Sequence, residues 1–226
     1  MPQNFKLSKR QIKEDKFTSF MLQGKGWFES NWQFVVIGVA AVILVAVAGT
    51  YYANSRTSKT HEAAVKFSRA LGDYRNQNSQ VASLSLQQVV DDYGDQEVAQ
   101  QATFLLGKLN RTNRNYPEAQ RFYELYLSKY AHDKTMRAAC YAGIASCLED
   151  QNQAAEAADK FDAAYREFPD GPLAGDYLNG AMRNHLSAGN IEAARANLDL
   201  IKEQFDGTNL ASRATRAFVA STADKS

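Results

Sequence analysis

The sequence predicts an all-α protein: an N-terminal transmembrane helix followed by an α-solenoid of about four helical hairpins. Two observations carry this. Helix-closing phrases recur at a fixed interval, and one stretch of 19 residues contains no charge. The stretch Arg166–Ala174, "REFPDGPLA", shows the first. A charged helix end meets an aromatic and then Pro-Asp-Gly-Pro, where proline lacks an N–H and glycine accepts positive φ. Related stops stand at Tyr93-Gly94-Asp95, Tyr130-Ala131-His132-Asp133 and Phe205-Asp206-Gly207. The aromatics at 93, 130, 168 and 205 are 37, 38 and 37 residues apart.

Other columns keep the same register. Ala82, Ala119, Ala157 and Ala194 are each followed four residues on by Leu86, Tyr123, Phe161 or Leu198, then by Val89, Tyr126, Ala164 or Ile201. A period between 20 and 50 residues marks a stack of repeated units. Each unit reads as two helices. Ala102, Phe104, Leu105, Leu106 and Leu109 recur at helical spacing, residues 110–115 break the run, and Tyr116-Pro117 restarts it with proline in the first turn. Breaks at 150–153 and 187–190 divide the third and fourth units. The recurrent alanine lets two antiparallel helices approach, and the large residue one turn later fills the space beyond.

These residues resemble the tetratricopeptide repeat (TPR). Gly107, Ala119, Tyr123 and Tyr126 match its pattern in the second unit; Tyr141, Ala145, Ala157, Phe161, Ala164 and Pro169 match in the third. The first and fourth units are degenerate, with Leu71 and Met182 at the small-residue position and no closing proline. The resemblance spans roughly residues 60–210.

Phe34–Tyr52, "FVVIGVAAVILVAVAGTYY", is the uncharged run. As a helix it covers about 28 Å, close to the roughly 30 Å hydrocarbon thickness of a bilayer. Trp27, Trp32, Tyr51 and Tyr52 flank it as membrane-interface aromatics do. A stack of two-helix units has no centre to enclose such a run, and 33 polar-rich residues before it are unlike a cleaved leader. The expected organisation is a cytoplasmic amphipathic tail (1–33), a transmembrane helix (34–52), a linker (53–60), a solenoid (61–220) and a disordered tail (221–226). In the tail, Ser8-Lys9-Arg10-Gln11 has capping-box form, Phe17, Phe20, Met21 and Phe28 share one helical side, and Gly24-Lys25-Gly26 is expected to mark a bend.

Orientation is read from charge. The tail carries Lys6, Lys9, Arg10, Lys13, Lys16 and Lys25, which favours retention in the cytoplasm. Counted only near the span, Arg56, Lys59, Lys66 and Arg69 on the far side outnumber Lys16 and Lys25. Long C-terminal domains translocate with little regard to charge, so tail-in is the reading adopted. The layout is similar to that of bacterial TPR proteins associated with the Sec translocon, which implies an inner-membrane protein with a periplasmic TPR domain.

Composition narrows the chemistry. A formal net charge of +1 and a pI near 7.7 argue against a nucleic-acid partner. Cys140 and Cys147 lie on one predicted helix about 10 Å apart, too far for a disulfide, and read as buried inert thiols. His61, His132 and His185 are not at metal-ligand spacing, and His185 reads as a hydrogen-bonded core residue. No phosphate loop, zinc motif or nucleophile elbow is present, so no catalytic residue, cofactor or metal is assigned.

The expectation that remains is a binding surface. The TPR resemblance implies a concave groove lined by the first helix of each hairpin. Its register gives Phe67, Arg75, Phe104, Lys108, Arg111, Ser146, Glu149, Asn179 and Arg183, a mixture suited to an apolar segment with acidic flanks. The expected role is a non-enzymatic scaffold tethered to the lipid bilayer through Phe34–Tyr52. Its protein or peptide partner would be the translocon or a periplasmic chaperone. The alternatives are a self-associating homo-oligomer that organises an envelope complex, or the same domain facing the cytoplasm.

Overall fold

The computed structural model describes residues 9–130 and 132–223, with side chains from Asn31 onward. They divide into two compact units, Met1–Ser58 and Lys59–Ser226. Helix α1 (Lys9–Arg75) is helical through all of its 67 residues. It runs without a break through Gly24–Gly26, where a bend was expected, and through 53–60, expected as a linker. The reason is local. A glycine costs a helix only ~1 kcal/mol, and no proline interrupts residues 53–60. The capping box at Ser8 lies outside the described residues, as do the side chains of Phe17, Phe20, Met21, Trp27 and Phe28.

In the first unit, the apolar run of α1 has no buried residue among the described residues. Phe34, Leu44 and Val45 are each 70% exposed or more, and Trp32, Tyr51 and Tyr52 are exposed as well. Among the described residues this is the one helix long and apolar enough to cross a membrane.

The second unit is a stack of hairpins. Its first pair is the C-terminal part of α1 with α2 (Ser79–Asp92). Then come α3 (Glu97–Thr112) with α4 (Tyr116–Lys129), α5 (Lys134–Asp150) with α6 (Ala154–Glu167), and α7 (Ala174–Ser187) with α8 (Ile191–Gln204). Helix α9 (Asn209–Ala223) closes the stack and extends to Ala223, into the stretch expected to be a disordered tail; residues 224–226 lie outside the described residues. We call the first helix of each pair A and the second B. All described helices are α, and no strand occurs among the described residues.

The recurring sequence columns have distinct packing jobs. Ala82, Ala119, Ala157 and Ala194 are fully buried. Leu86, Tyr123, Phe161 and Leu198, one turn on, are also buried, as are Val89, Tyr126, Ala164 and Ile201. The aromatics that set the period are the C-caps of the B helices: Tyr93, Tyr130, Phe168 and Phe205 follow the last residues of α2, α4, α6 and α8. Tyr130 also donates its hydroxyl to the Gly94 carbonyl at 2.9 Å, tying one repeat junction to the previous one.

The turn inside each hairpin repeats as faithfully. Gln77, Arg114, Asn152 and Gly189 hold φ of 61°, 61°, 63° and 81°. After each, an N–H reaches back to a carbonyl five residues earlier: Asn78 to Asp73, Asn115 to Asn110, Gln153 to Leu148 and Asn190 to His185. This is the Schellman closure of an A helix, which needs one left-handed residue.

Adjacent units mesh by size. The Tyr123 ring of α4 lies against Gly107 of α3 and Gly143 of α5, and the Phe161 ring of α6 lies against Gly180 of α7. In the first hairpin Leu86 instead shares its cluster with Leu106, the residue one repeat before Gly143. Helices α3 and α5 approach each other, as do α7 and α9, and side chains join α3 to α5 (Arg111 with Asp150) and α5 to α7 (Glu149 with Arg183). The B helices α6 and α8 meet through side chains, Asp162 with Asn197 and Tyr165 with Gln204.

Candidate protein-interaction surface

The A-helix face is built by helical period. On α3, Glu97, Gln101, Phe104, Lys108 and Arg111 fall at i, i+4, i+7, i+11 and i+14, one side of the helix. Ser146, Glu149 and Asp150 on α5 and Asn179 and Arg183 on α7 continue the face across the stack.

The expected groove residues separate into three groups. Phe67 does not line a surface: it is buried with Ala70, Leu86 and Val89. The first hairpin has its own core to fill, and this ring fills it. Phe104 is half-buried and packs edge-on against Tyr123 and Tyr126, with centroids 5.8 and 6.3 Å away. Arg75 and Lys108 are exposed; Ser146 and Asn179 are half-buried.

The remaining three are tied together by ion pairs between successive A helices. Arg111 Nε lies 3.3 Å from Asp150 Oδ2. Arg183 lies 2.9 Å from Glu149 Oε1, and Asn184 donates to the same oxygen at 3.1 Å. Arg111 and Arg183 of the expected basic groove are therefore paired with acids of the neighbouring hairpin. Glu149 and Arg183 also border a cavity of about 490 Å³ whose other walls are Leu186, Ser187, Ala217 and Ser221. Sequence reasoning missed Asp150, Asn184 and the α9 residues. The signal was present in the spacing, since each partner stands 34 to 39 residues away, about one repeat.

The other singled-out residues are structural. Cys140 and Cys147 are free and fully buried. Burial pushes their thiols up to about 12 and about 11. His185 is 5% exposed, with Nε2 at 2.9 Å from Asp162 Oδ2. Among the described residues, no group of three or more His, Cys, Asp or Glu side chains is placed to hold a metal ion.

A ladder of stacked α-hairpins is the architecture of repeat scaffolds that bind protein partners. Residues 25–171 match the tetratricopeptide repeat-like domain, and the chain belongs to that family. No curated protein sequence matches it. Among solved structures it is similar to a tetratricopeptide repeat protein from Parabacteroides merdae. That match has 14% identity and a TM-score of 0.62, and covers 72% of this chain and 60% of that one. A Podosopora anserina protein of nearly identical TPR-like repeats matches at 14% identity and TM-score 0.56, over 71% of this chain and 85% of that one. The Pseudomonas aeruginosa protein PilF matches at 14% identity and TM-score 0.50, over 68% and 66%. At such identities the likeness establishes the fold.

Proposed function

We propose that the chain is a non-enzymatic scaffold tethered to the bacterial inner membrane, its tail in the cytoplasm and its TPR unit in the periplasm. There it receives a protein or peptide segment on the A-helix face, beside the protein-export machinery or a periplasmic chaperone. One observation carries the tether: Phe34–Tyr52 is helical yet none of it is buried among the described residues. An apolar surface of that extent exposed to water would drive aggregation, whereas a bilayer covers it. The basic tail supports the orientation. Tethering also raises the local concentration of chain and partner, so a shallow polar face suffices for occupancy.

Photo-crosslinking in cells tests the face. A photoreactive residue replacing the half-buried Ser146 should capture a partner, and Lys108→Glu with Arg111→Glu should abolish that capture while leaving the fold intact. Breaking the Arg111–Asp150 pair costs no more than ~1 kcal/mol, because both side chains are substantially solvated. Undiminished capture in the double variant would reject the A-helix face.

A further inference from the structure

A second cavity, about 360 Å³, opens on the same face where α3 and α5 begin. Its walls are Glu97, Gln100 and Gln101 from α3, Tyr126 from α4, and Asp133 and Met136 at the start of α5. Two features distinguish it from an incidental acidic patch. Glu97 enters no ion pair among the described residues, and Asp133 spends one oxygen on the Thr135 N–H as the α5 N-cap and keeps the other. Tyr126 is only 2% exposed, with its ring covered by Phe104 and Tyr130. Its hydroxyl makes no hydrogen bond among the described residues, and the little of Tyr126 that is exposed lies beside the cavity it lines. Burial first, then the neighbouring Cys140 and Asp133, raise its pKa, which keeps it a neutral phenol able to accept an N–H.

We propose that this cavity is a subsite for a cationic side chain, arginine or lysine, of the segment bound on the A-helix face. Two carboxylates supply the opposite charge, the amides of Gln100 and Gln101 and the Tyr126 hydroxyl supply acceptors, and Met136 packs along the alkyl stem. The sequence suggested a segment with acidic flanks; this end of the face selects the opposite charge. Lys108 stands eleven residues farther along α3, about 16 Å away. A segment with a basic residue at one end and an acidic residue at the other is thereby fixed in direction. The assignment rests on the A-helix face being the binding face.

The methionines provide a direct readout in the full-length protein in detergent micelles. Met136 lines the cavity while Met182 lies in a separate core cluster, so ¹³C-methyl-methionine spectra carry a reporter and an internal control. Titration with Nα-acetyl-arginine amide should shift the Met136 methyl saturably. The neutral isostere Nα-acetyl-citrulline amide should bind about tenfold more weakly. Glu97→Gln with Asp133→Asn should erase the difference; asparagine preserves the N-cap, and an unmoved Met182 methyl reports an intact core. Equal response to the two ligands, no shift at Met136, or an unchanged preference in the double variant would each overturn the subsite. A missing preference alongside partner capture through Ser146 removes the subsite and leaves the binding face standing. Loss of both removes the face itself.

Discussion

Tyr123 lies so close over Gly143 that a Cβ on the glycine would fall 2.6 Å from the ring Cζ. A Cβ on Gly107 would likewise fall 2.6 Å from Cε1 of the same ring. Held between two helices, the ring has nowhere to move. Gly143→Ala should therefore destabilise the protein by roughly 1 to 3 kcal/mol from overpacking, despite the ~1 kcal/mol that alanine contributes as a better helix former. Gly72, with nothing within 4 Å of its would-be Cβ, should show the opposite sign on substitution by alanine. Denaturant midpoints of the two variants check both signs. A stabilising Gly143→Ala would mean the ring is not confined.

The left-handed turn residues give a second sign test. Arg114 and Gln77 occupy a conformation that costs a side-chain-bearing residue roughly 1 to 2 kcal/mol, part of which glycine returns as unfolded-state entropy. Arg114→Gly should raise stability by roughly 0.5 to 1 kcal/mol. Gly189→Ala should lower it by a similar amount. The check is a change in denaturation midpoint with unchanged slope; a destabilised Arg114→Gly would show that the turn is not the constraint.

These features mark how far the sequence was readable. The Ala-large-apolar columns at Ala82, Ala119, Ala157 and Ala194 were legible because repetition shows which periodicity is packed. Gly107 was legible as the small residue of the repeat pattern, but Gly143 beneath Tyr123 and Gly180 beneath Phe161 were not. Leu106, Gly143 and Gly180 share one position, and the small residue makes sense only once the ring facing it is known. Phe67 was misread as surface because the first unit departs most from the repeat pattern. Arg111 and Arg183 were recognised as charges on the A-helix face, but their neutralisation by Asp150 and Glu149 is a contact between helices. The continuity of α1 through residues 53–60 was likewise hidden, because polar residues without proline fit a linker and a helix equally.

Asp162 joins α6, α7 and α8: its Oδ2 meets His185 Nε2 at 2.9 Å, and its Oδ1 accepts from Asn197 Nδ2 at 3.1 Å. A carboxylate only accepts, so the Nε2 carries the proton. Asp162→Ala would strand two buried donors and should cost roughly 2 to 4 kcal/mol. Urea unfolding measures this directly. A loss below about 0.5 kcal/mol would show that the bridge contributes no more than an ordinary surface contact.

The buried thiols give a pH dependence. Unfolded cysteine titrates near 9, whereas burial moves Cys140 to about 12 and Cys147 to about 11. Between those limits the native state holds protons that the unfolded state has released. Stability is therefore fully present below pH 9 and falls as pH rises toward 11 to 12. Cys140→Ala with Cys147→Ala should flatten this decline, leaving the part due to the buried phenols of Tyr123, Tyr126 and Tyr177, whose pKa values burial also raises. Both thiols should resist N-ethylmaleimide until the protein is denatured; rapid labelling of the native protein would contradict their burial.

Protease accessibility of a C-terminal tag in cells tests the tethered, exported scaffold most directly. The expected result is that the tag fractionates with membranes and survives in intact cells. It should be digested once the outer membrane alone is permeabilised. A tag that survives until the inner membrane is lysed would place the hairpin stack in the cytoplasm, and a tag recovered in the soluble fraction would remove the tether.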